Sequence, residues 1–332
     1  MPRDRERKAR WHACYSGIIS SEKLQAKPSQ LTLKQAWSED AHLDMMRDNS
    51  ITKSILSISS PGVSLASNDR AFNRNLARQC NDFASSLVQR QSERFGFWAS
   101  LPLPDVEGTL AEISYVIHSL NSTSFTMETN QHGTYLGDPS LDAVFNELNR
   151  VKATVFIHPT TPCFKNHGDG TGHGHTAVTF LPQFPNPLME FMFDTARCLI
   201  SLFHSGTLAR CPDITFVVPH AGGALSPVLQ RFCTFATKMM RSELDLSART
   251  VKETFRKQFY FDLAGTPFPD QIHGLLRIVG PERLLYGSDY PFTPAQMVAE
   301  LREVMTLNLE ELFKDKAVRQ GIYSGNAKRL LL

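Results

Sequence analysis

Seven short β-rich runs alternate with amphipathic helical stretches along this chain, and that alternation leaves few folds open. The runs span residues 54–59, 95–101, 125–129, 154–158, 214–219, 258–263 and 283–286, with helical patterns at 70–93, 140–152 and 293–306 among the connections. Strands separated by helices cannot pair as tight hairpins, so they read as parallel βαβ units. Several runs are apolar without alternation, as strands covered on both faces are. Seven strands are one short of a closed eight-stranded α/β barrel.

Three of the runs end on residues that carry chemistry. Leu284-Leu285-Tyr286-Gly287-Ser288-Asp289-Tyr290-Pro291 breaks at a glycine, presents a carboxylate and stops at a proline. Thr154-Val155-Phe156-Ile157-His158-Pro159 and Ile214-Thr215-Phe216-Val217-Val218-Pro219-His220-Ala221-Gly222-Gly223 end on histidines. Parallel α/β folds place function at the carboxyl ends of their strands, so two histidines and an aspartate there predict a metal or acid/base site. Asp262 ends a fourth run and reads as either a catalytic or a structural carboxylate.

The bulk properties exclude more than they identify. The 332 residues suffice for one barrel or two smaller domains, and 42% apolar against 20% charged residues fits an ordinary globular chain with ample core. A net charge of +2 gives no case for nucleic acid or a membrane surface. No window approaches ~18 uninterrupted apolar residues, so no transmembrane helix is expected. The basic opening, Met1 to Arg10, lacks an apolar signal core, and its acidic residues argue against a transit peptide. Six cysteines without a C-x-x-C pair read as reduced, mostly buried thiols in a cytoplasmic protein. The stretch 166–175, with three histidines among four glycines, reads as a loop over the strand ends. A substrate lid is its expected role, and a histidine-rich metal tract the alternative.

These motifs, taken in order, resemble the amidohydrolase-2 branch of the metal-dependent hydrolases, and within it the non-oxidative decarboxylases. Phe156-Ile157-His158-Pro159, Pro219-His220-Ala221-Gly222-Gly223, Phe261-Asp262-Leu263-Ala264 and Tyr286-Gly287-Ser288-Asp289-Tyr290-Pro291 carry the resemblance. Ser57-Ile58-Ser59-Ser60-Pro61-Gly62-Val63, Phe95 to Pro102 and Tyr135-Leu136-Gly137 are most similar to the 6-methylsalicylate type. The resemblance spans residues 37–332 and implies a (β/α)8 TIM barrel with one divalent metal, zinc or manganese, at its mouth. It makes His158 and Asp289 metal ligands, His220 a catalytic histidine beside the metal and Asp289 the proton donor. His42 lies where some relatives place a substrate-binding arginine; as an alternative it is a polar-face residue of a helix capped by Ser38. Trp98 and Phe292, with Phe97 and Phe164, lie near strand ends where they could wall an aromatic ring. The implied activity is decarboxylation of a small hydroxybenzoic acid in secondary metabolism, by a homodimer.

One departure stands beside the match. The family's first strand ends in His-x-His or Glu-x-His, and nothing of that form precedes Trp37; the single histidine there is His12. Residues 1–36 are therefore read as a divergent segment in place of the usual first strand, and 37–332 as the barrel domain. The expectation is either a start truncated or misspliced relative to the family, or loss of the usual metal site. His12, His220 and the loop histidines are the available substitutes. Two other readings stay open: a hydrolase such as a lactonase, and an inactive barrel that acts by binding.

Overall fold

The computed structural model describes residues 10–15, 37–65, 69–165 and 175–331. Eight strands run parallel: β1 (Arg10–Tyr15), β2 (Ile51–Ser57), β3 in two pieces (Phe95–Phe97 and Ala99–Ser100), β4 (Ser124–Glu128), β5 (Thr154–His158), β6 (Thr215–Val218), β7 (Phe259–Asp262) and β8 (Leu284–Leu285). Neighbours in sequence order are neighbours in the sheet. The two pieces of β3 belong to different hydrogen-bonded sheets, bridged where Trp98 N–H donates to Leu56 O at 2.8 Å. Helices connect the strands: α1 (Glu39–Asp48), α2 (Arg70–Arg90), α3 (Val106–Ser119), α4 (Asp142–Arg150), α5 (Glu190–His204), α6 (Leu225–Thr234), α7 (Ala248–Gln258), α8 (Gln271–Leu276) and α9 (Ala295–Leu312). This is the strand–helix order of an α/β barrel.

The first strand, expected to be atypical or missing, is present. Arg10–Tyr15 pairs in parallel with β2, Tyr15 level with Ser57, and supplies the eighth strand. Its short mixed pattern gave no clear periodicity, and the pairing is set by β2 rather than by a local signal. The turn Gly321–Gly325 and the helix Asn326–Leu331 pack against both β1 and β8. No hydrogen-bond ladder joins β8 to β1 among the described residues.

Side chains divide by strand alternation. Leu56, Phe97, Ala99, Phe125, Met127, Val155, Ile157, Phe216, Val218, Phe259, Phe261 and Leu284 join the main core, which strands share with the surrounding helices. The residues between them face the other way. Ile55, Trp98, Phe156, Val217 and Leu285 form a second buried cluster, the barrel lumen, with Tyr260 and Phe292 against it. Phe97 therefore belongs to the outer core and does not wall the lumen, a correction; Trp98 and Phe292 share the lumen cluster.

His42 is also corrected. Ser38 does cap α1, accepting from Ala41 N–H at 3.2 Å, but His42 is 0% exposed rather than on a polar face. Trp37 Nε1–H donates to its Nδ1 at 2.9 Å, so the proton sits on Nε2, which faces Ser54 Oγ at 3.1 Å. Its ring packs edge-on against Phe95 and Tyr290. Nε2 thus ties α1 to β2 while Nδ1 holds Trp37 ahead of the helix, and burial lowers the pKa of His42 to about 3, against charge on a substrate carboxylate. The described cysteines are free, four of the five buried. No described helix is long and apolar enough to cross a membrane.

A buried histidine that stays neutral makes the fold acid-sensitive. Unfolded chain takes up the proton as pH falls below 6.5, folded chain only near 3, so stability is full above 6.5 and declines between these values. We predict that His42→Leu lowers stability at pH 8 by about 2–3 kcal/mol, since Trp37 and Ser54 lose their partner. The same variant should show a shallower fall in its urea midpoint between pH 6.5 and pH 4. An unchanged pH slope would remove His42 from this role.

Candidate active site at the barrel mouth

Four strand ends bring ionisable groups together. His158 closes β5 and Asp262 closes β7, while His220 and Asp289 lie just beyond β6 and β8. Asp289, His220 and Asp262 all act electrostatically on His158, so the four form one neighbourhood. His158 is driven down to about 3 by burial, which outweighs the upward pull of Asp289 and is reinforced by His220. It is therefore neutral imidazole, the form that binds metals or accepts protons. Asp289 is pushed above the ordinary carboxylate range, chiefly by burial and against the pull of both histidines. A raised carboxyl in this place can hold a proton and give it up.

The backbone here is strained. His220, Ala221 and Asp289 have φ of 54°, 52° and 59°, a left-handed conformation that costs a non-glycine residue about 1–3 kcal/mol. The turn after β6 runs through Gly222 and Gly223, and a Cβ on Gly223 would lie 2.5 Å from Met192 O. Asp262 settles its open role in part: Oδ1 accepts from the backbone N–H of His220 and of Ala264, each at 3.0 Å. Gln271 holds the same turn from α8, donating to His220 O at 2.7 Å and Gly223 O at 3.0 Å. Both residues fix where the His220 ring stands.

A second buried network, which the motifs did not reveal, backs His158. Nδ1 lies 3.2 Å from Glu128 Oε2, at the end of β4, and receives Ser60 N–H at 3.3 Å. Glu128 is pushed well above the usual range by burial and by Asp194, so it carries its proton toward Nδ1. Asp194 on α5 accepts from Thr129 Oγ1, Tyr135 Oη and Asn130 Nδ2, the last at 2.9 Å. Arg197 lies 3.7 Å from the same carboxylate. Phe125 to Thr129 was legible as a strand, and its inward parity would have picked out Glu128 as the mouth residue.

Other expected residues stand differently. Trp98 stacks on Phe156, centroids 4.5 Å apart, below this mouth layer. His42 sits behind β2 on Ser54, not among the four groups. His12 takes the register position of Ser54, three residues before the end of β1, where Cys14 and Tyr15 occupy the last positions instead. Cys163–Lys165 and His175–Ala177 pair as an antiparallel ribbon after β5. The stretch 166–174 between them, the expected lid, lies outside the described residues, as does the Phe164 side chain.

The donor set is half of a metal site. His158 and Asp289 offer a neutral imidazole and a carboxylate, suited to a divalent ion. Among the described residues, no three His, Cys, Asp or Glu side chains come together as a metal-holding group.

Sequence comparison agrees with this architecture. Residues 26–332 match the profile of the family described as amidohydrolase. The chain is 32% identical to the decarboxylase macB of Penicillium terrestre, over 89% of this chain and 85% of that one. It is also 32% identical to a 6-methylsalicylic acid decarboxylase of Penicillium expansum, over 89% and 86%. A crystal structure of an amidohydrolase II superposes with a TM-score of 0.80 at 29% identity, covering 97% and 99% of the two chains. A dihydroxybenzoic acid decarboxylase of Polaromonas sp., solved with manganese and 2-nitroresorcinol, shares the fold with a TM-score of 0.76 at 20% identity, over 97% and 96%.

The network behind His158 can be tested by itself. Asp194→Ala strands the donors of Thr129, Asn130 and Tyr135 in a buried space, and we predict a loss of about 3 kcal/mol or more in urea unfolding. Tyr135→Phe removes one donor and should cost about 1 kcal/mol. Equal small losses in both would show that Asp194 is not the hub.

Proposed function

The chain belongs to the amidohydrolase family, and from that premise we propose that it is a metal-dependent, non-oxidative decarboxylase of a small hydroxybenzoic acid of the 6-methylsalicylate kind. The observation that carries this reading is the convergence of His158, His220 and a half-buried Asp289 at the carboxyl ends of β5, β6 and β8. Two decarboxylases at 32% identity over most of the chain support the reaction class.

Loss of CO2 from an aromatic acid needs a proton on the ring carbon that bears the carboxylate. That step breaks aromaticity, and the C–C bond then breaks with its electrons returning to the ring. The net change is one proton taken up and one CO2 released. Asp289 is the donor in this proposal, because a carboxyl with a raised pKa keeps its proton closer to neutral pH and so has one to deliver to the ring carbon. His220, fixed by Asp262 and Gln271, orients the substrate and returns the proton to Asp289. A divalent ion, held by Asp289 and by His158 through Nε2, would supply positive charge to fix the carboxylate and an adjacent hydroxyl. Glu128 would then take the Nδ1–H of His158, the carboxylate–histidine pairing usual behind metal ligands. Manganese in the Polaromonas relative supports a divalent ion; zinc and manganese both suit these donors. Trp98 and Phe292 supply apolar surface for the ring. A homodimer completes the proposal, supported by exposed Phe180, Phe184, Leu188 and Phe193 around the mouth-side connection.

One observation favours a second reading, a barrel that binds without turnover: the described residues gather only half of a metal site. Metal content and CO2 release from 6-methylsalicylate separate the two. We predict about one manganese or zinc per folded chain, with CO2 release abolished by a chelator and restored by added metal. Asp289→Asn should lower kcat by about 10³-fold or more while the far-ultraviolet spectrum is unchanged. A folded wild type without metal or CO2 release would favour the binding barrel.

A further inference from the structure

A cleft of about 210 Å³ lies outside the barrel mouth, between the turns that follow β7 and β8 and residues 298–305 of α9. Phe268, Leu301 and Met305 give it apolar walls, and Gly265, Gly287 and Ser288 bring the backbone of the two turns to it. Thr266 and Val304, both exposed, stand at its rim, so the cleft opens to solvent. Arg302 is the one charged residue that lines it. Its side chain is only 22% exposed, and its ion-pair partner, Glu303, stands 3.9 Å away, too far for a hydrogen bond. A guanidinium in an apolar cleft, without a hydrogen-bonded acid, is what asks for an explanation.

The cleft and the active-site turns share a wall. A Cβ on Gly265 would lie 3.3 Å from His220 Nδ1, and Ala264 O stands 3.4 Å from the same nitrogen. Ser288 Oγ accepts from Tyr290 N–H at 3.1 Å and so brackets Asp289 between them. A Cβ on Gly287 would meet Ala264 Cβ and Asp262 Cγ at 3.0 Å, so the two turns rest on each other. One thickness of backbone therefore separates the cleft from His220 and Asp289. An apolar cavity of ~150 Å³ holds benzene, so this one has room for a ring or a six-carbon chain with a carboxylate. The planar fork of Arg302 matches a carboxylate. Apolar walls favour an acid with a hydrocarbon body over a fully hydrated inorganic anion.

We propose that this cleft is an effector site for small apolar monocarboxylic acids, with the carboxylate on Arg302 and the hydrocarbon body between Phe268, Leu301 and Met305. Bound acid touches Ser288 and the Gly265 backbone, so occupancy biases the turns that carry Asp289 and His220. By linkage, an acid in the cleft and a substrate in the mouth then change one another's affinity. The site goes beyond the decarboxylase reading, because neither its shape nor its charge depends on what reacts in the mouth.

The test titrates the full chain, loaded with manganese, by calorimetry with hexanoate and with its uncharged analogue hexanamide. CO2 release from 6-methylsalicylate is measured in parallel. Wild type should bind hexanoate about tenfold more tightly than hexanamide. Arg302→Gln should weaken hexanoate about tenfold, and Leu301→Trp, which fills the cleft, should abolish binding. Both positions are partly exposed, so both variants should melt as wild type does, which separates lost recognition from lost folding. Asp289→Asn should bind hexanoate unchanged, which separates the cleft from the mouth. Saturating hexanoate should shift the KM for 6-methylsalicylate about fivefold in wild type and not at all in Arg302→Gln. No hexanoate binding, binding that survives both cleft variants, or binding lost in Asp289→Asn overturns the site. Binding at Arg302 with an unmoved KM overturns its effector role. Binding at Arg302 without any CO2 release overturns the decarboxylase reading and leaves the site standing.

Discussion

Alternation along eight parallel strands is the constraint on which the rest of this structure depends. From β2 to β8, each strand gives one set of side chains to the helices and the other to the lumen. The outer set is almost wholly apolar, phenylalanine above all, and supplies the main core. Because that core is complete without the lumen, the inward positions are released from the need to be hydrophobic. They can hold Glu128, His158 and Asp262 at the mouth and serine, threonine and tryptophan just beneath. The same parity that stabilises the barrel decides which residues reach its site.

Burying so many ionisable groups in one mouth has a cost, and the surrounding bonds show how it is met. His158 and His42 are kept neutral by burial, so neither brings an unpaired charge inside. Glu128 and Asp194 cannot both ionise cheaply side by side. Three donors gather on Asp194, and Glu128 is pushed toward its neutral form. Asp262 spends an oxygen on two backbone N–H groups, which fixes the left-handed turn that carries His220. Positioning at this mouth is therefore done largely by backbone bonds and a glutamine from α8. These supports are rigid in the sense that matters for proton transfer.

Much of this was legible in the sequence. Strand runs ending in His158, His220 and Asp289 gave three corners of the site, and seven of the eight strands followed from their apolar pattern. Asp262 was legible as a strand-end carboxylate, though its work on the His220 turn required coordinates. The eighth strand was not readable, because Trp11-His12-Ala13-Cys14-Tyr15 has no period of its own and is specified by pairing with β2. His42 was misread because a charge-bearing residue on a capped helix resembles a surface residue. Only the Trp37 and Ser54 contacts, which depend on how α1 packs over β2, show it to be interior. Gln271 belongs to no motif and is defined only by what it touches across the barrel, whereas Glu128 was within reach of the alternation along β4.

The polar lumen also bears on the stability of the fold: Ser57 Oγ, Trp98 Nε1, Ser100 Oγ and Thr126 Oγ1 have no hydrogen-bond partner among the described residues. An unpartnered buried hydroxyl or N–H costs about 1–3 kcal/mol. Four of them together are a large share of the roughly 5–15 kcal/mol by which a domain of ordinary stability is folded. Exchanging Thr126 for valine or Trp98 for phenylalanine would keep shape and stacking while removing that cost, so folding alone gives no reason for the polar choice. The strained φ at His220, Ala221 and Asp289 has the same logic: a conformation worse for stability is retained where the chemistry stands. In both places the departures from the most stable arrangement concentrate on β2 to β8 at the carboxyl end of the barrel and its floor, and the outer core shows no comparable group among the described strand residues. Strain at the mouth fixes where His220 and Asp289 stand, and the unmet hydrogen bonds lie in the packed lumen beneath it.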